Sequence, residues 1–360
     1  TERELTMTDS VLREDMALCA KTLNDNGLLP ALSGKTVFIT GATGLIGSQM
    51  VRTLLEANRL YDADITVAAF IRNEQKANAM FEDILPNDKL DFVIGDLSRP
   101  VSYDKPVDYV VHGASATGSK FFVESPVETI QTAIYGTDRL LQFARDKQVS
   151  GMVYLSSLEV YGVPDGTNET ISESDYGLIE PLSVRSSYSE GKRMVECLCA
   201  SYASEYGVPV KVARLSQTFG AGVEYHDGRV FAEFARCLME KKDIVLHTDG
   251  STVRSYCYTA DAVCALYTIL LKGESGEAYN VTNMDTACSI REMAELVAGL
   301  EPEAGVNVRI EIPEDIASFG YNPQMIIRLD ASKLKALGYV PSVGMEDMFR
   351  RTIRSMRERI

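Results

Sequence analysis

Residues 35–57 read KTVFITGATGLIGSQMVRTLLEA, in which an apolar run, a glycine-rich turn and a helix-like pattern follow one another directly. The apolar run has the length and composition of a buried strand, and the apolar residues after the turn recur at helical spacing. Between these two parts stands G-x-x-G-x-x-G, a spacing that permits a tight turn and brings a pyrophosphate close to the helix N-terminus. The stretch therefore predicts a dinucleotide-binding loop rather than a plain strand–helix turn. The residues that we expect to hold the cofactor here are Gly41, Thr43, Gly44, Leu45, Ile46 and Gly47.

Strand-like and helix-like segments alternate along the chain on the C-terminal side of this loop. Such alternation predicts an α/β fold, a doubly wound parallel sheet with helices on both faces (a Rossmann fold). We expect residues 35–213 to form this dinucleotide-binding domain and residues 214–360 to form mainly a smaller substrate-binding lobe. Part of that lobe, about 255–282, is expected to return to the first domain. Ligands of such sheets bind outside the carboxyl ends of the strands, where the motifs discussed below fall.

Residues 1–34 precede the predicted domain and read as a helical extension that ends at Asn26-Gly27. Its apolar residues recur at roughly helical spacing: Val11, Leu12, Met16, Leu18, Cys19 and Leu23. An apolar helix face needs cover, which favours packing over the next domain or a partner subunit. The alternative is a surface helix.

Composition excludes several classes of function. The 360 residues are 45% hydrophobic and carry a formal net charge of −15, without a strongly basic stretch, so we expect no nucleic-acid partner. The sequence shows no secretory leader pattern and no apolar run that spans a membrane, so we expect no membrane partner. The seven cysteines are scattered without a C-x-x-C pair, which indicates reduced thiols and a cytoplasmic location. The three histidines show no metal-ligand spacing with cysteines or carboxylates, so we expect no metal.

The second predicted strand, residues 65–73, bears on the choice of cofactor. A carboxylate at the end of this strand would bind the 2′-hydroxyl of the adenosine ribose. The strand instead ends Phe70-Ile71-Arg72-Asn73, and Arg72 is suited to a 2′-phosphate. This favours NADP slightly over NAD, although an arginine here also has the alternatives of stacking on adenine or lying in solvent.

The ends of the next two strands contain further cofactor candidates. Asp96 and Leu97 follow the third strand and are expected near the adenine. Ala114 and Ser115 follow the fourth, and small residues there let the backbone lie close to the cofactor. His112 precedes them, and a structural role for it is favoured over that of a base.

Residues 151–192 contain the candidate chemistry, with SSLEVYG at 156–162 and YSEGK at 188–192. Tyr188 and Lys192 are four residues apart, so on a helix they share a face. A tyrosine with its usual pKa of about 10 is a poor base, but a nearby ammonium and an oxidised nicotinamide favour the phenolate. Tyr188 is thus an acid/base candidate for a hydroxyl proton while a hydride leaves the same carbon. The alternative is a half-buried tyrosine with a solvated lysine.

With these motifs in order, the chain from about Ser33 onward resembles the extended short-chain dehydrogenases that modify nucleotide sugars. The likeness is greatest to UDP-glucuronate decarboxylases (UDP-xylose synthases), and the dTDP-glucose 4,6-dehydratases come next. The blocks that carry it are TGATGLIG, HGAS, SSLEVYG, YSEGK, VARLSQTFGAG, DGRVFAEF, DGSTVRSYCYTADAV and LDASKLKALGYVPS.

The resemblance implies roles for the residues of SSLEVYG and YSEGK. Ser157 matches the residue that hydrogen-bonds the sugar 4-hydroxyl, and Tyr188 matches the base for that hydroxyl. Lys192 matches the residue that binds the nicotinamide ribose and tunes the tyrosine. Glu159 stands where decarboxylases and dehydratases have a glutamate that acts near sugar carbon 5. Leu158 replaces the general-acid aspartate of the dehydratases, which argues against loss of water.

Four more residues are implied in substrate binding. Arg254 matches an arginine that contacts the diphosphate or a sugar acid. Arg185 precedes the tyrosine and is expected to contact the substrate, as is Arg229 in DGRV. Gln217 replaces the asparagine usual in the diphosphate-binding block. For Glu159 and Arg254, a surface acid and a surface ion pair are the alternatives.

Together these features predict an NAD(P)-dependent enzyme that oxidises the 4-hydroxyl of a nucleotide sugar to a 4-ketone, most like a UDP-glucuronate decarboxylase. One alternative is an NADPH-dependent reductase or dehydrogenase of a nucleotide-linked sugar or ketose. A second is a non-catalytic dinucleotide-binding protein. The family likeness also implies a homodimer in which helices 126–147 and 187–206 of two subunits form a four-helix bundle.

Overall fold

The computed structural model describes residues 9–115, 118–166, 168–312 and 325–360. Residues 1–8 of the predicted extension therefore lie outside the described part. The strands are β1 Thr36–Thr40, β2 Thr66–Ile71, β3 Leu90–Ile94, β4 Tyr109–His112, β5 Gly151–Ser157, β6 Val210–Leu215, β7 Gln217–Phe219, β8 Ile244–Leu246, β9 Val253–Tyr258, β10 Ala278–Val281, β11 Asn283–Ser289 and β12 Val308–Ile310. The helices are α1 Ser10–Asp25, α2 Leu29–Leu32, α3 Leu45–Tyr61, α4 Glu74–Met80, α5 Ser119–Glu124, α6 Pro126–Asp146, α7 Ser187–Tyr206, α8 Val230–Glu240, α9 Thr259–Lys272, α10 Ile290–Gly299, α11 Ser332–Ala336 and α12 Met345–Arg359.

A seven-stranded sheet in the order β10-β6-β5-β4-β1-β2-β3 forms the centre of the molecule. Every neighbouring pair in it is parallel. The predicted doubly wound parallel sheet is confirmed. The chain leaves β1 toward one edge of the sheet through β2 and β3, and then crosses to the other side of β1 at β4. This reversal opens a crevice at the carboxyl ends of β1 and β4, where a ligand of such a sheet binds.

Helices cover both faces of this sheet because its strands are apolar on both sides. On one face α3 and α9 pack on the strands, and buried residues of α1 belong to the same apolar core. On the other face α6 and α7 pack on the strands and on each other. α9 has twelve buried residues of fourteen, which identifies it as an interior helix.

Two small sheets stand beside the central one. β7, β9 and β11 form the first, and β8 and β12 form the second. β10, which falls within the stretch 255–282, pairs with β6 in the central sheet. The proposed boundaries at residues 35–213 and 214–360 stay a prediction.

The described part of the extension contains α1 and α2, and α1 packs on the rest of the chain. Asp9 caps α1 by accepting a hydrogen bond from the N–H of Leu12 at 2.9 Å. Asp15, in the middle of α1, is buried and accepts hydrogen bonds from the Tyr258 hydroxyl at 2.6 Å and from Arg351 at 2.5 Å. Because Tyr258 ends β9 and Arg351 lies in α12, one carboxylate joins three distant segments.

Candidate active site

The glycine loop leaves no room for a side chain at two of its three glycines. Gly41 has a φ of 71°, and a Cβ there would lie 2.7 Å from the carbonyl carbon of Gly113. A Cβ on Gly47 would lie 2.1 Å from the carbonyl oxygen of Gly41. α3 begins after Gly44, and no side chain caps its first N–H groups. A pyrophosphate thus meets close backbone and uncapped N–H donors, so this loop fits a dinucleotide.

Ser157, Tyr188 and Lys192 converge at the carboxyl end of β5. Ser157 ends β5, and its hydroxyl lies close enough to the Tyr188 side chain to affect the pKa of that phenol. Lys192 is buried, and its Nζ donates to the carbonyl oxygen of Leu155 at 2.8 Å. The same Nζ lies 4.6 Å from the ring centroid of Tyr154 and 5.7 Å from that of Tyr188. The first two turns of α7 therefore aim Tyr188 and Lys192 at one point of the sheet edge.

The pKa of Tyr188 is raised in the structure, whereas the sequence predicted a tyrosine whose phenolate is favoured by Lys192. Burial raises the pKa of Tyr188 above its usual range, and the Glu159 charge adds to this, while the hydrogen bond from Ser157 and the Arg185 charge oppose it. Burial also lowers the pKa of Lys192 to about 8. The protein's own groups thus favour a neutral phenol, because desolvation outweighs the nearby positive charges. Tyr188 becomes a base only if a further positive charge lies beside it.

Glu159 is held by three donors. The two terminal nitrogens of Arg185 each donate to one of its carboxylate oxygens at 3.0 Å, and the Ser189 hydroxyl donates at 3.1 Å. Glu159 lies in the short 3₁₀ turn Leu158–Tyr161 that follows β5, so the acid stands next to the strand end that carries Ser157. Both side chains of the ion pair are about one quarter exposed.

Arg254 is a second cation whose charge interacts with that of Glu159. It lies in β9, is only 9% exposed, and donates from Nη1 to the carbonyl oxygens of Val253 and Met325 at 3.2 and 3.3 Å. Burial lowers its pKa, opposed by the charges of Tyr256 and Glu159. Within the described ranges Arg254 has no carboxylate at ion-pair distance. A buried guanidinium of this kind is suited to an anionic ligand.

The ends of β2 and β3, where we expect the adenosine of the cofactor, carry an exposed arginine and a buried leucine. Arg72 follows β2 directly, and its side chain is exposed. Asp96 accepts a hydrogen bond from the N–H of Ser98 at 2.7 Å, and this bond, with the charges of Arg72 and Arg99, lowers the pKa of Asp96. Leu97 is buried. Arg72, at the end of β2, therefore lies near the carboxylate of Asp96, which follows β3. The sequence of β2 alone showed only the arginine.

The predicted small residues follow β4 on the other side of the crevice. The N–H of Ala114 donates to the Thr40 hydroxyl at 3.2 Å, and Ser115 is exposed. His112 is buried between Thr40 and Thr137, at 2.8 and 2.9 Å from their hydroxyls. Burial lowers the pKa of His112 to about 3. His112 is therefore a neutral structural residue that ties β4 to β1.

Gln217 and Arg229 were also predicted to bind substrate, but within the described residues neither forms a hydrogen bond or ion pair with Ser157, Tyr188 or Lys192. Gln217 begins β7 opposite Tyr256 of β9 and is partly buried. Arg229 pairs with Asp227 at 2.6 Å and lies over the ring of Phe231. Their roles stay predictions from the family likeness.

Phe122 and a buried ion pair were missed by sequence reasoning. Phe122, in α5, stacks on Tyr188, and its carbonyl oxygen accepts a hydrogen bond from Ser187 at 3.1 Å. In α7, Glu196 accepts hydrogen bonds from Ser156 at 2.6 Å and from Arg214 at 2.7 Å, which ties the helix to β5 and β6. The only sequence signal for the pair was an arginine inside an apolar strand pattern.

Two further findings concern the described residues alone. No helix among them combines the length and apolar character needed to cross a membrane. In the same ranges, no three histidine, cysteine or carboxylate side chains gather as they would around a metal ion.

A phosphate-binding glycine loop and a buried Tyr–Lys pair at one sheet edge are the arrangement of a dinucleotide-dependent enzyme of the short-chain dehydrogenase class. Comparison with known families gives the narrower assignment. The chain belongs to the NAD dependent epimerase/dehydratase family, which residues 37–282 match. The family resemblance drawn from the sequence motifs is confirmed.

Proteins that are similar in sequence or structure support the assignment to this family. UDP-glucuronic acid decarboxylase 5 of Arabidopsis thaliana is 30% identical over 318 residues, which cover 88% of this chain and 87% of that protein. UDP-glucuronic acid decarboxylase 1 of Danio rerio is 29% identical over 322 residues, 89% of this chain and 72% of that protein. Among solved structures, a dTDP-glucose 4,6-dehydratase of Streptomyces venezuelae with NAD bound has a TM-score of 0.72 at 26% identity, covering 90% of this chain and 97% of that one.

Proposed function

We propose that this protein oxidises the 4-hydroxyl of a nucleotide sugar to a 4-ketone and decarboxylates a UDP-linked uronic acid. The observation that carries the proposal is Arg254, a buried cation that interacts with the charge of Glu159 but has no carboxylate at ion-pair distance in the described part of the chain. A substrate with a negative charge on its diphosphate and on its sugar would satisfy this cation. The decarboxylase relatives support the same substrate class.

The residues at the end of β5 account for the proton transfers. Ser157 and Tyr188 would hydrogen-bond the sugar 4-hydroxyl, and Tyr188 would take its proton. The cofactor, when bound, supplies a hydride acceptor and a positive charge that favours the phenolate. Lys192, buried with its pKa near 8, would bind the nicotinamide ribose. These assignments rest on the convergence of the three side chains and on the family likeness.

A 4-ketone weakens the bond to a carboxylate on carbon 5, which is beta to the ketone. When that bond breaks, carbon dioxide leaves and the electron pair moves toward the 4-oxygen, where Ser157 and Tyr188 would stabilise it. A proton must then be delivered to carbon 5, and Glu159 would deliver it after taking a proton from water. Return of the hydride regenerates the 4-hydroxyl, so no reduced cofactor is released. Leu158 leaves no second acid next to Glu159 for loss of water.

We propose NAD as the cofactor, held by the loop from Gly41 to Gly47. Arg72 had favoured NADP, but Asp96 lies near enough for the Arg72 charge to lower its pKa. A 2′-phosphate would bring negative charge toward that carboxylate, whereas a ribose hydroxyl can donate to it. The structurally similar dehydratase with NAD bound supports this choice.

The test is incubation of the purified protein with UDP-glucuronate and either NAD or NADP. We expect carbon dioxide and a UDP-pentose in equal amounts, detected by mass spectrometry, without accumulation of reduced cofactor. Release of reduced cofactor in step with product would contradict the cycle. Steady oxidation of NADPH with a nucleotide-linked ketose would instead indicate the reductase.

We also propose that the protein forms a homodimer through α6 and α7. Large apolar side chains are exposed on these helices, with Val127 64%, Tyr135 55% and Met194 54% accessible. Exposed apolar side chains gathered on two neighbouring helices mark an interaction surface. A second copy of the same pair would cover them as a four-helix bundle.

A further inference from the structure

Glu159, which the proposed mechanism needs for proton transfer at carbon 5, is held in an ion pair with Arg185. Each carboxylate oxygen of Glu159 accepts a hydrogen bond from a different terminal nitrogen of Arg185, both at 3.0 Å. One of these oxygens also accepts from Ser189 at 3.1 Å. A bidentate pair of this geometry is strong for a partly exposed site. While this ion pair persists, both carboxylate oxygens of Glu159 are bound to Arg185, so a substrate must compete with Arg185 for them.

Among the described residues, Arg185 forms an ion pair with Glu159 and with no other carboxylate. Its guanidinium carbon lies 5.3 Å from the ring centroid of Phe122, which offers an apolar and aromatic surface. Glu159 is its carboxylate partner in the described residues. The side chain is one quarter exposed. A guanidinium with one anionic partner and an aromatic support can exchange that partner for another carboxylate at the same place.

The charges of Glu159, Arg185 and Arg254 favour such an exchange. Arg185 and Arg254 bring two positive charges and Glu159 brings one negative charge, so these three groups leave one net positive charge. A carboxylate on the incoming sugar would neutralise it. A neutral sugar offers only hydroxyls, which compete poorly with Glu159 for a bidentate guanidinium.

We infer that Arg185 is a specificity-determining residue that moves from Glu159 to the carboxylate of an acidic nucleotide sugar. This inference rests on the proposed function and deepens it. The transfer exchanges one carboxylate for another on the same guanidinium, so no cation is left buried without a partner. It also releases Glu159 for proton transfer at carbon 5. A neutral nucleotide sugar leaves the ion pair closed and Glu159 occupied, so the acid becomes available only with the correct substrate.

The inference makes opposite predictions for the two partners of the ion pair. Arg185→Gln should weaken binding of UDP-glucuronate by about ten- to a hundredfold, because the substrate carboxylate loses its ligand and faces an unpaired Glu159. Glu159→Gln should tighten binding of UDP-glucuronate by roughly fivefold or more, because Arg185 then has no competing carboxylate. UDP-glucose, which lacks the carboxylate, should bind each variant within about twofold of the unaltered protein.

The experiment is calorimetric titration of the cofactor-loaded, full-length protein with UDP-glucuronate and UDP-glucose. The double variant Glu159→Gln, Arg185→Gln closes a thermodynamic cycle and isolates the coupling between the two residues. In that variant the tightening caused by Glu159→Gln should disappear. Arg185→Lys should recover part of the affinity lost in Arg185→Gln. Arg291→Gln is the matched control, since Arg291 makes an exposed i,i+4 pair with Glu295 on α10.

The outcomes separate this inference from the proposed function. Suppose that the unaltered protein decarboxylates UDP-glucuronate but that Glu159→Gln weakens binding of UDP-glucuronate and UDP-glucose by the same factor. The Arg185–Glu159 ion pair is then only structural, and the inference is overturned. If Arg185→Gln weakens both sugars by the same factor, it is overturned as well. If the unaltered protein neither binds nor converts UDP-glucuronate, the proposed function fails and the inference fails with it.

Discussion

The phenol ring of Tyr188 lies almost parallel to the ring of Phe122, with the centroids 4.2 Å apart and the planes inclined by 13°. The two residues come from neighbouring helices, α7 and α5, and Ser187 adds a hydrogen bond to the Phe122 carbonyl oxygen at 3.1 Å. Aromatic contacts of this kind contribute about 0.5–1.5 kcal/mol beyond the area they bury. Phe122 therefore acts as a positioning residue that sets the plane of the proposed acid/base.

Phe122→Ala should lower kcat by roughly tenfold, because a tyrosine without its ring support spends less time in the reactive orientation. Cofactor affinity should change little, since Phe122 lies away from the glycine loop in the sequence and in its contacts. Steady-state kinetics and cofactor titration measure the two effects. Phe122→Tyr retains an aromatic ring and is the matched control. An unchanged kcat in Phe122→Ala would show that α7 alone orients Tyr188.

Tyr188→Phe should lower turnover by about 10²–10⁴-fold, because it removes the hydroxyl that takes and returns the proton. The ring remains, so stacking on Phe122 and the fold should persist. Mass spectrometry of the denatured protein would show whether the cofactor is still bound. Tyr206→Phe is the control on the same helix, since Tyr206 is half exposed at the end of α7. Equal turnover by Tyr188→Phe and the unaltered protein would show that Tyr188 is not the acid/base, whereas no turnover by either protein would favour a non-catalytic dinucleotide-binding protein.

The parts of the fold that could be predicted are those formed by residues close together in the sequence. The glycine loop is one strand, one turn and one helix in direct succession, so the glycine spacing in this setting predicts both its geometry and its ligand. Tyr188 and Lys192 share a helix, and their common face follows from a four-residue spacing. Alternating strands and helices likewise imply a parallel sheet.

Contacts between distant segments could not be read from the sequence. The ion pair between Glu159 and Arg185 joins residues 26 positions apart, and neither neighbourhood contains a pattern that requires it. The direction of the Tyr188 pKa shift was also missed, because burial depends on what packs over the ring. Asp96 beside Arg72 is a third case, since it depends on the register of β2 and β3.

Gly47→Ala should weaken cofactor binding by at least tenfold and lower the free energy of unfolding by about 1–3 kcal/mol. The new Cβ would lie 2.1 Å from the Gly41 carbonyl oxygen, and a backbone atom cannot move away as a side chain can. Titration with NAD and urea unfolding measure the two effects. Gly299→Ala is the control, because nothing lies within 4 Å of a Cβ at that helical position. Normal NAD affinity in Gly47→Ala would mean that the loop adjusts or does not hold the cofactor.

The buried carboxyl of Asp15 should make stability depend on pH. Burial raises the pKa of Asp15 from 3.8 to about 6, although the hydrogen bond from Tyr258 and the charge of Arg351 oppose the rise. The folded protein therefore binds this proton more tightly than the unfolded chain. The resulting stability is fully present below the unfolded pKa and is lost as the pH rises through about 6. This contribution to the free energy of unfolding is about 3 kcal/mol, since the pKa of Asp15 is 3.8 in the unfolded chain and about 6 in the folded protein.

Asp15→Asn tests this, because the amide has nearly the same shape and does not titrate. Between about pH 4 and pH 7, the unaltered protein should lose roughly 3 kcal/mol relative to the variant. Urea unfolding at several pH values gives the difference. Asp25→Asn is the control on the same helix, since Asp25 is half exposed. Parallel pH profiles for Asp15→Asn and the unaltered protein would show that Asp15 does not carry the pH dependence.

Val127→Lys should weaken the proposed homodimer by at least tenfold, because the ammonium would be buried among the apolar side chains of the helix interface. Val127 lies on α6 with its side chain 64% exposed in the single chain, so the folding of the subunit should be unaffected. Light scattering over a range of protein concentrations measures the dissociation constant. Leu18→Lys is the matched control, since Leu18 is 53% exposed on α1. A dimer that survives Val127→Lys but dissociates in Leu18→Lys would place the interface on the N-terminal helix instead, and a monomeric unaltered protein would refute the dimer altogether.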